Sequence, residues 1–200
     1  IETIAVDAPI QSQPKIHDGN LFIADTGGTI YRYTLAGKKV WSKGTNAPIL
    51  STINIHGNQL LVQNVDDVVY ALDPSDGKLL WRYAHQTDIS RRRDMTLYGA
   101  PAPVILDEFV YCGFSDGAVV QLLENEGTVE NIRWIGEGRY PDIIAAPSEA
   151  HGQIIISGAE EPLTAYDSSL QEEFWRIKAG TNHSIVQLDE EVFLHSGTDG

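Results

Sequence analysis

A three-part pattern recurs along the chain, and a repeat constrains architecture before any single residue does. The only four tryptophans stand at Trp41, Trp81, Trp134 and Trp175, at spacings of 40, 53 and 41 residues. Each closes a short β-prone stretch: Lys39-Val40-Trp41, Leu79-Leu80-Trp81, Ile132-Arg133-Trp134 and Glu173-Phe174-Trp175. Upstream of each lies a turn that opens a β-rich run: Gly27-Gly28-Thr29-Ile30-Tyr31, Asp66-Asp67-Val68-Val69-Tyr70, Asp116-Gly117-Ala118-Val119-Val120 and Glu161-Pro162-Leu163-Thr164-Ala165-Tyr166. From Gly28 through Asp67, Gly117 and Pro162 to Gly200 the steps are 39, 50, 45 and 38 residues. Before each turn comes a polar corner between apolar stretches, the pattern of a tight hairpin. These corners are Ile16-His17-Asp18-Gly19-Asn20, Ile55-His56-Gly57-Asn58, Leu106-Asp107-Glu108, Ala150-His151-Gly152-Gln153 and Leu188-Asp189-Glu190.

Three markers in a fixed order describe a unit of four strands. In the second copy the runs predict strands over Ile49–Ile55, Gln59–Asn64, Val68–Asp73 and Leu79–Tyr83, each short and bounded by Gly, Asn or Asp. No segment carries a long 3.6-residue apolar period, so few helices are expected. Four-stranded units of this length are the blades of a β-propeller. The expected fold is therefore all-β, with antiparallel blades over residues 10–44, 45–85, 99–137 and 142–180 and an incomplete one over 181–200. Four and a half blades would leave an exposed edge, which soluble proteins avoid. The sequence thus reads as part of a larger ring of about seven or eight blades, or alternatively as one whose ring a second copy or a separate segment completes.

Composition narrows function. A net charge of −14, from 28 acidic and 14 basic residues, argues against binding a nucleic-acid backbone. One cysteine excludes an internal disulfide framework and a cysteine-based metal centre. No apolar run approaches the roughly 20 residues of a membrane span, and no basic-then-apolar leader is present. The first residue is Ile1 and not Met, which is compatible with a signal or a longer N-terminal part having been removed.

The second repeat, Tyr70-Ala71-Leu72-Asp73-Pro74-Ser75-Asp76-Gly77-Lys78-Leu79-Leu80-Trp81, resembles the repeat Y-A-L-D-x-x-x-G-K-x-x-W of the pyrroloquinoline-quinone-type propellers. Physically, Asp caps a tight turn, Gly takes the positive-φ position, and the Trp packs between blades. Tyr31 to Trp41 and Thr164 to Trp175 carry weaker copies, and the third copy lacks the tyrosine and the Gly-Lys. Within that superfamily the order of features is similar to the BamB family, lipoprotein subunits of the machine that assembles outer-membrane β-barrels. Met95-Thr96-Leu97-Tyr98-Gly99-Ala100-Pro101-Ala102-Pro103 resembles its L-S-L-R-G-E-S-A-P stretch. Arg139-Tyr140-Pro141-Asp142-Ile143-Ile144-Ala145-Ala146-Pro147 resembles its R-L-S-D-V-D-T-T-P stretch. The resemblance implies that these two loops lie close together and dock onto a periplasmic domain of the barrel-forming subunit. Met95 and Leu97 then take apolar contact positions, and Arg139 and Asp142 charged ones. Tyr98 replaces an arginine of the family pattern and Ile144 its second aspartate, so the charge pairing would differ. The run Arg91-Arg92-Arg93 is expected to restore positive charge from a neighbouring position.

Other motifs read structurally. Gly113-Phe114-Ser115-Asp116-Gly117 matches a G-x-S-x-G nucleophile elbow, but it falls on the repeated hairpin turn, where no helix is expected to follow. His17, His56 and His151 recur at one corner, and His85, His183 and His195 lack ligand spacing, so no metal is expected. Cys112 lies in a β run and reads as a small core hydrophobe. Asn182-His183-Ser184 is a glycosylation sequon, meaningful only in a eukaryotic secretory setting.

The expectation is a non-enzymatic, cofactor-free, protein-binding propeller, periplasmic and outer-membrane-associated. Met95, Leu97, Tyr98, Arg139 and Asp142 carry the contact, with Arg91, Arg92 and Arg93 in electrostatic support. Two alternatives stay open: part of a quinoprotein dehydrogenase, or a generic extracytoplasmic interaction module. The first would need an acidic and amide cluster at inner strand ends, and the sequence shows none.

Overall fold

Two-residue corners between short β-branched runs dictate hairpins, and the computed structural model is built from them. It describes residues 3–88, 90–91, 97, 100–135, 140–178, 186–187 and 193–194. Those residues form a partial β-propeller of four antiparallel four-stranded sheets, with no helix among them. The chain divides into two units, 1–84 and 85–200.

In the first unit, β1 (Lys15–His17), β2 (Asn20–Ala24), β3 (Thr29–Thr34) and β4 (Lys39–Gly44) form one sheet in chain order. A second follows with β5 (Asn54–His56), β6 (Gln59–Asn64), β7 (Val68–Leu72) and β8 (Leu79–Ala84). Every side chain of β6 is buried, as expected of a strand covered on both faces. Phe22, Ile30, Ile49, Ile53, Leu60 and Leu72 pack into one core, with Trp41 and Tyr70 against it. The first strand of the second sheet is shorter than the expected Ile49–Ile55. Ile49 and Ile53 are spent on that core, and the backbone there turns aside: the Val65 amide donates to Pro48 O at 3.0 Å.

The repeat motif shows its mechanics between these sheets. Asp73 Oδ1 accepts the Ser75 amide at 2.7 Å, and the Gly77 amide donates to Asp73 O at 2.8 Å. Gly77 has φ +73°, and a Cβ there would lie 2.9 Å from the Trp41 ring. Trp41 Nε1 also donates to Pro74 O at 3.1 Å. A tryptophan of one outer strand thus docks on the glycine turn of the next sheet.

In the second unit, β9 (Val104–Leu106), β10 (Phe109–Gly113), β11 (Ala118–Leu123) and β12 (Val129–Trp134) form the third sheet. The fourth has β13 (Ser148–Ala150), β14 (Gln153–Ile156), β15 (Leu163–Tyr166) and β16 (Glu173–Ile177), and β17 (Val186–Gln187) pairs with β18 (Phe193–Leu194). Tyr111, Val119, Ile143, Ile154, Tyr166 and Leu170 form the core between the two complete sheets.

Register corrects one marker. Trp41 pairs with Arg32, Trp81 with Ala71 and Trp175 with Ala165, each near the middle of the third strand. Trp134 instead pairs with Ala118, the first residue of its third strand, and Asn131 holds the equivalent place opposite Gln121. Trp134 is therefore not the third copy of the docking tryptophan. Amides replace that contact. Gln121 Nε2 donates to Ser168 O at 2.8 Å, and Asn131 Nδ2 donates to Gln121 Oε1 at 2.6 Å.

Candidate functional site

Two loops of the second unit, after β8 and after β12, converge on the turn between β10 and β11. That turn is the Gly113–Gly117 motif, and it is a hairpin: the Phe114 amide donates to Ala118 O at 2.9 Å and the Gly117 amide to Phe114 O at 3.2 Å. Ser115 is buried, so the nucleophile-elbow pattern has no exposed hydroxyl. Cys112, just before it, is also buried, and desolvation pushes its thiol far up, away from reactive thiolate.

The first loop is anchored by His85. Its Nε2 lies 2.9 Å from Asp116 Oδ2, and its ring stacks on Phe114 at 4.3 Å between centroids. The Asp88 amide donates to the same Oδ2 at 2.9 Å. Burial would raise the Asp116 carboxyl, but the bonds from His85 and from the Asp88 and Ala118 amides outweigh it and hold it below the usual range. Asp88 caps its own turn, accepting from the Ser90 amide at 2.9 Å and hydroxyl at 2.6 Å, and these bonds lower its carboxyl too. The Arg91 amide then donates to Asp88 O at 3.0 Å. The Arg91 guanidinium lies 5.4 Å from the centre of the Trp134 ring.

The second loop meets the first at one bond. The Leu97 amide donates to Asp142 Oδ1 at 2.9 Å. Leu97 is 43% exposed, whereas Asp142 is fully buried. The Asp142 carbonyl accepts the Ala159 amide at 3.2 Å, and the Ile143 amide donates to Phe114 O at 3.1 Å. A Cβ on Gly113 would lie 2.3 Å from Ile143, so only glycine lets the loop sit this close.

Of the residues singled out by sequence, Leu97 and Asp142 are brought together and Arg91 lies on the same loop as Leu97. Met95, Tyr98, Arg92, Arg93 and Arg139 lie outside the described residues. Asp142 presents no outward charge; it holds the Leu97 backbone. Sequence reading missed the His85–Asp116 anchor, although His85 directly follows the second blade's last strand. Among the described residues no three His, Cys, Asp or Glu side chains gather as a metal site. Nor is any helix there long and apolar enough to cross a membrane.

Comparison with known proteins adds descent to geometry. A family model described as outer membrane protein assembly factor BamB matches residues 3–200. The chain is 24% identical over 171 residues to the outer membrane protein assembly factor BamB of Yersinia pestis, covering 83% of this chain and 40% of that protein. It is 30% identical over 122 residues to the quinohemoprotein alcohol dehydrogenase ADH-IIG of Pseudomonas putida, covering 55% of this chain and 17% of that one. The crystal structure of BamB from Moraxella catarrhalis superposes with a TM-score of 0.83 at 20% identity, over 97% of this chain and 60% of that chain. The chain thus spans less than half the length of either curated relative.

Proposed function

The chain belongs to the family of outer membrane protein assembly factor BamB, and from that premise we propose that it is a non-catalytic docking scaffold for the assembly of outer-membrane β-barrels. Its partner is the barrel-forming subunit of the assembly machine, met in the periplasm at the outer membrane. The observation that carries this reading is the Leu97–Asp142 junction. A buried carboxylate fixes the backbone of an exposed leucine where two long loops meet on a rigid β scaffold. Fixing an apolar anchor in place lowers the ordering cost of binding. Met95, Tyr98 and Arg139 complete the contact by sequence position, and Arg91, Arg92 and Arg93 steer the approach. Co-purification with the barrel-forming subunit tests it. Leu97→Ala combined with Asp142→Arg abolishes capture on this reading, and undiminished capture refutes it.

The dehydrogenase relative supports a second reading, part of a quinoprotein oxidoreductase. Oxidation of alcohols or sugars after addition of pyrroloquinoline quinone and calcium would favour it over the scaffold.

A further inference from the structure

Register fixes which residues of the first three sheets are counterparts. Thr29 pairs with Gly44, Val68 with Ala84 and Ala118 with Trp134, so Thr45, His85 and Ile135 share the position after the outer strand. Asp25, Asn64 and Phe114 share a second position, four residues before the third strand begins. The backbone is alike at Asp25 and Phe114: each amide donates to the carbonyl four residues on, and each carbonyl accepts the amide three residues on. The side chains differ. Asp25 Oδ1 accepts the amides of Gly27 and Thr29 at 3.0 and 2.8 Å, and Asn64 Oδ1 those of Asp66 and Val68 at 3.2 Å. Phe114 has no side-chain acceptor. Asp116, two residues on, caps the turn instead, its Oδ1 accepting the Ala118 amide at 3.1 Å.

Exposure changes with that move. Gly27 and Asp66, the counterparts of Asp116, are exposed, whereas Asp116 is buried. The start of the loop that carries Leu97 lies against it. His85 Nε2 and the Asp88 amide each reach Asp116 Oδ2 at 2.9 Å, and the His85 side chain is buried. A carboxylate has no proton to give, so Nε2 is the donor. Phe114, released from capping, stacks on the imidazole with 18° between the planes. Asn64 shows that the hairpin can be capped without a charge; the Oδ2 contacts of Asp116 serve the loop. Three departures from the repeat, His85, Phe114 and Asp116, therefore meet at the base of one loop.

The loop is tied at both ends to this turn. Asp88 carries the fixed geometry forward by capping Ser90, and Leu97 is bonded to Asp142, whose neighbour Ile143 donates its amide to Phe114 O. We propose that His85 and Asp116 are positioning residues for docking: with Phe114 they set the base of the Leu97 loop, so that Leu97 meets the partner in register with the Asp142 loop. This rests on the docking reading for what the loop binds, whereas the latch itself acts in the chain alone. Holding the loop before the encounter lowers the ordering cost of binding.

The test reads amide hydrogen exchange at Leu97 in the chain alone and affinity by titration with the periplasmic region of the barrel-forming subunit. His85→Phe keeps a ring on Phe114 but has no donor. It should speed Leu97 exchange and weaken the subunit, each about tenfold. His85→Gln, which returns a donor close to Nε2, should recover most of both. Thr45→Val removes the hydroxyl bonds to Gly28 O and Ala47 O at the same repeat position, away from the loop, and should change neither. Unchanged Leu97 exchange in His85→Phe, no recovery in His85→Gln, or equal effects in Thr45→Val overturns the latch. Faster exchange with unchanged subunit affinity overturns its docking role. A wild-type chain that binds no subunit, yet shows donor-dependent Leu97 exchange, upholds the latch and refutes the partner.

Discussion

The Leu97 amide donates to Asp142 Oδ1 at 2.9 Å, across 45 residues of sequence. One buried carboxylate thereby ties the loop after the second sheet to the loop after the third. The exposed leucine and the buried aspartate are joined by this one bond.

Coupling between the two is the first consequence. Removing the acceptor of this part-buried bond costs about 1 kcal/mol. Asp142→Ala should weaken partner binding although Asp142 is itself fully buried, and Asp142→Asn, which keeps an oxygen acceptor, should weaken it less. In a double-mutant cycle with Leu97→Ala, binding losses should fall short of additive by at least about 0.5 kcal/mol. Additive losses would show that the bond does not position the leucine.

The His85–Asp116 anchor makes stability depend on pH on the acid side. The Asp116 carboxyl is depressed in the folded state, so its contribution is full above the unfolded carboxylate value of about 3.9 and is lost as pH falls through the lower folded value. Urea unfolding should find Asp116→Asn less stable than wild type near pH 5, with the gap closing as pH falls below about 4. A gap that widens on acidification would contradict this.

The tryptophans should separate into structural and surplus members. Trp41 fits the Gly77 turn and donates to Pro74 O, so Trp41→Ala should cost about 3 kcal/mol. Gly77→Ala should also destabilise, because φ is +73° and the new Cβ would meet the indole. Trp134→Ala should cost less than Trp41→Ala, about 1 kcal/mol, because Trp134 is 41% exposed and amides make the sheet contact there. Chemical denaturation of the three variants decides.

Cys112 is buried, and its thiol is pushed far up. A thiol reagent at pH 8 should leave the native chain unlabelled and label it fully in denaturant. Rapid native labelling would place Cys112 elsewhere.

Much of this fold is legible in the sequence because its signals are local. Two-residue corners such as Asp18-Gly19 and His151-Gly152, with positive φ at both positions, announce hairpins by their own chemistry. The Asp73-to-Gly77 turn announces the docking tryptophan in the same way. Register is not local. Trp134 lies only three residues from the repeat position, so spacing alone counted it as a repeat member, whereas pairing with Ala118 and not Gln121 removes it. Side-chain burial is not local either. A loop aspartate reads as an exposed charge until the fold brings an unbonded amide, here that of Leu97, against it. The Ile49–Ile53 stretch is β-branched enough to be a strand, yet its isoleucines serve the core.

Isothermal titration of the chain with the periplasmic region of the barrel-forming subunit tests the docking claim most directly. Saturable one-to-one binding, weakened at least about tenfold by Leu97→Ala with the fold intact, is the predicted result. Absence of binding, or affinity unchanged by Leu97→Ala, would contradict it.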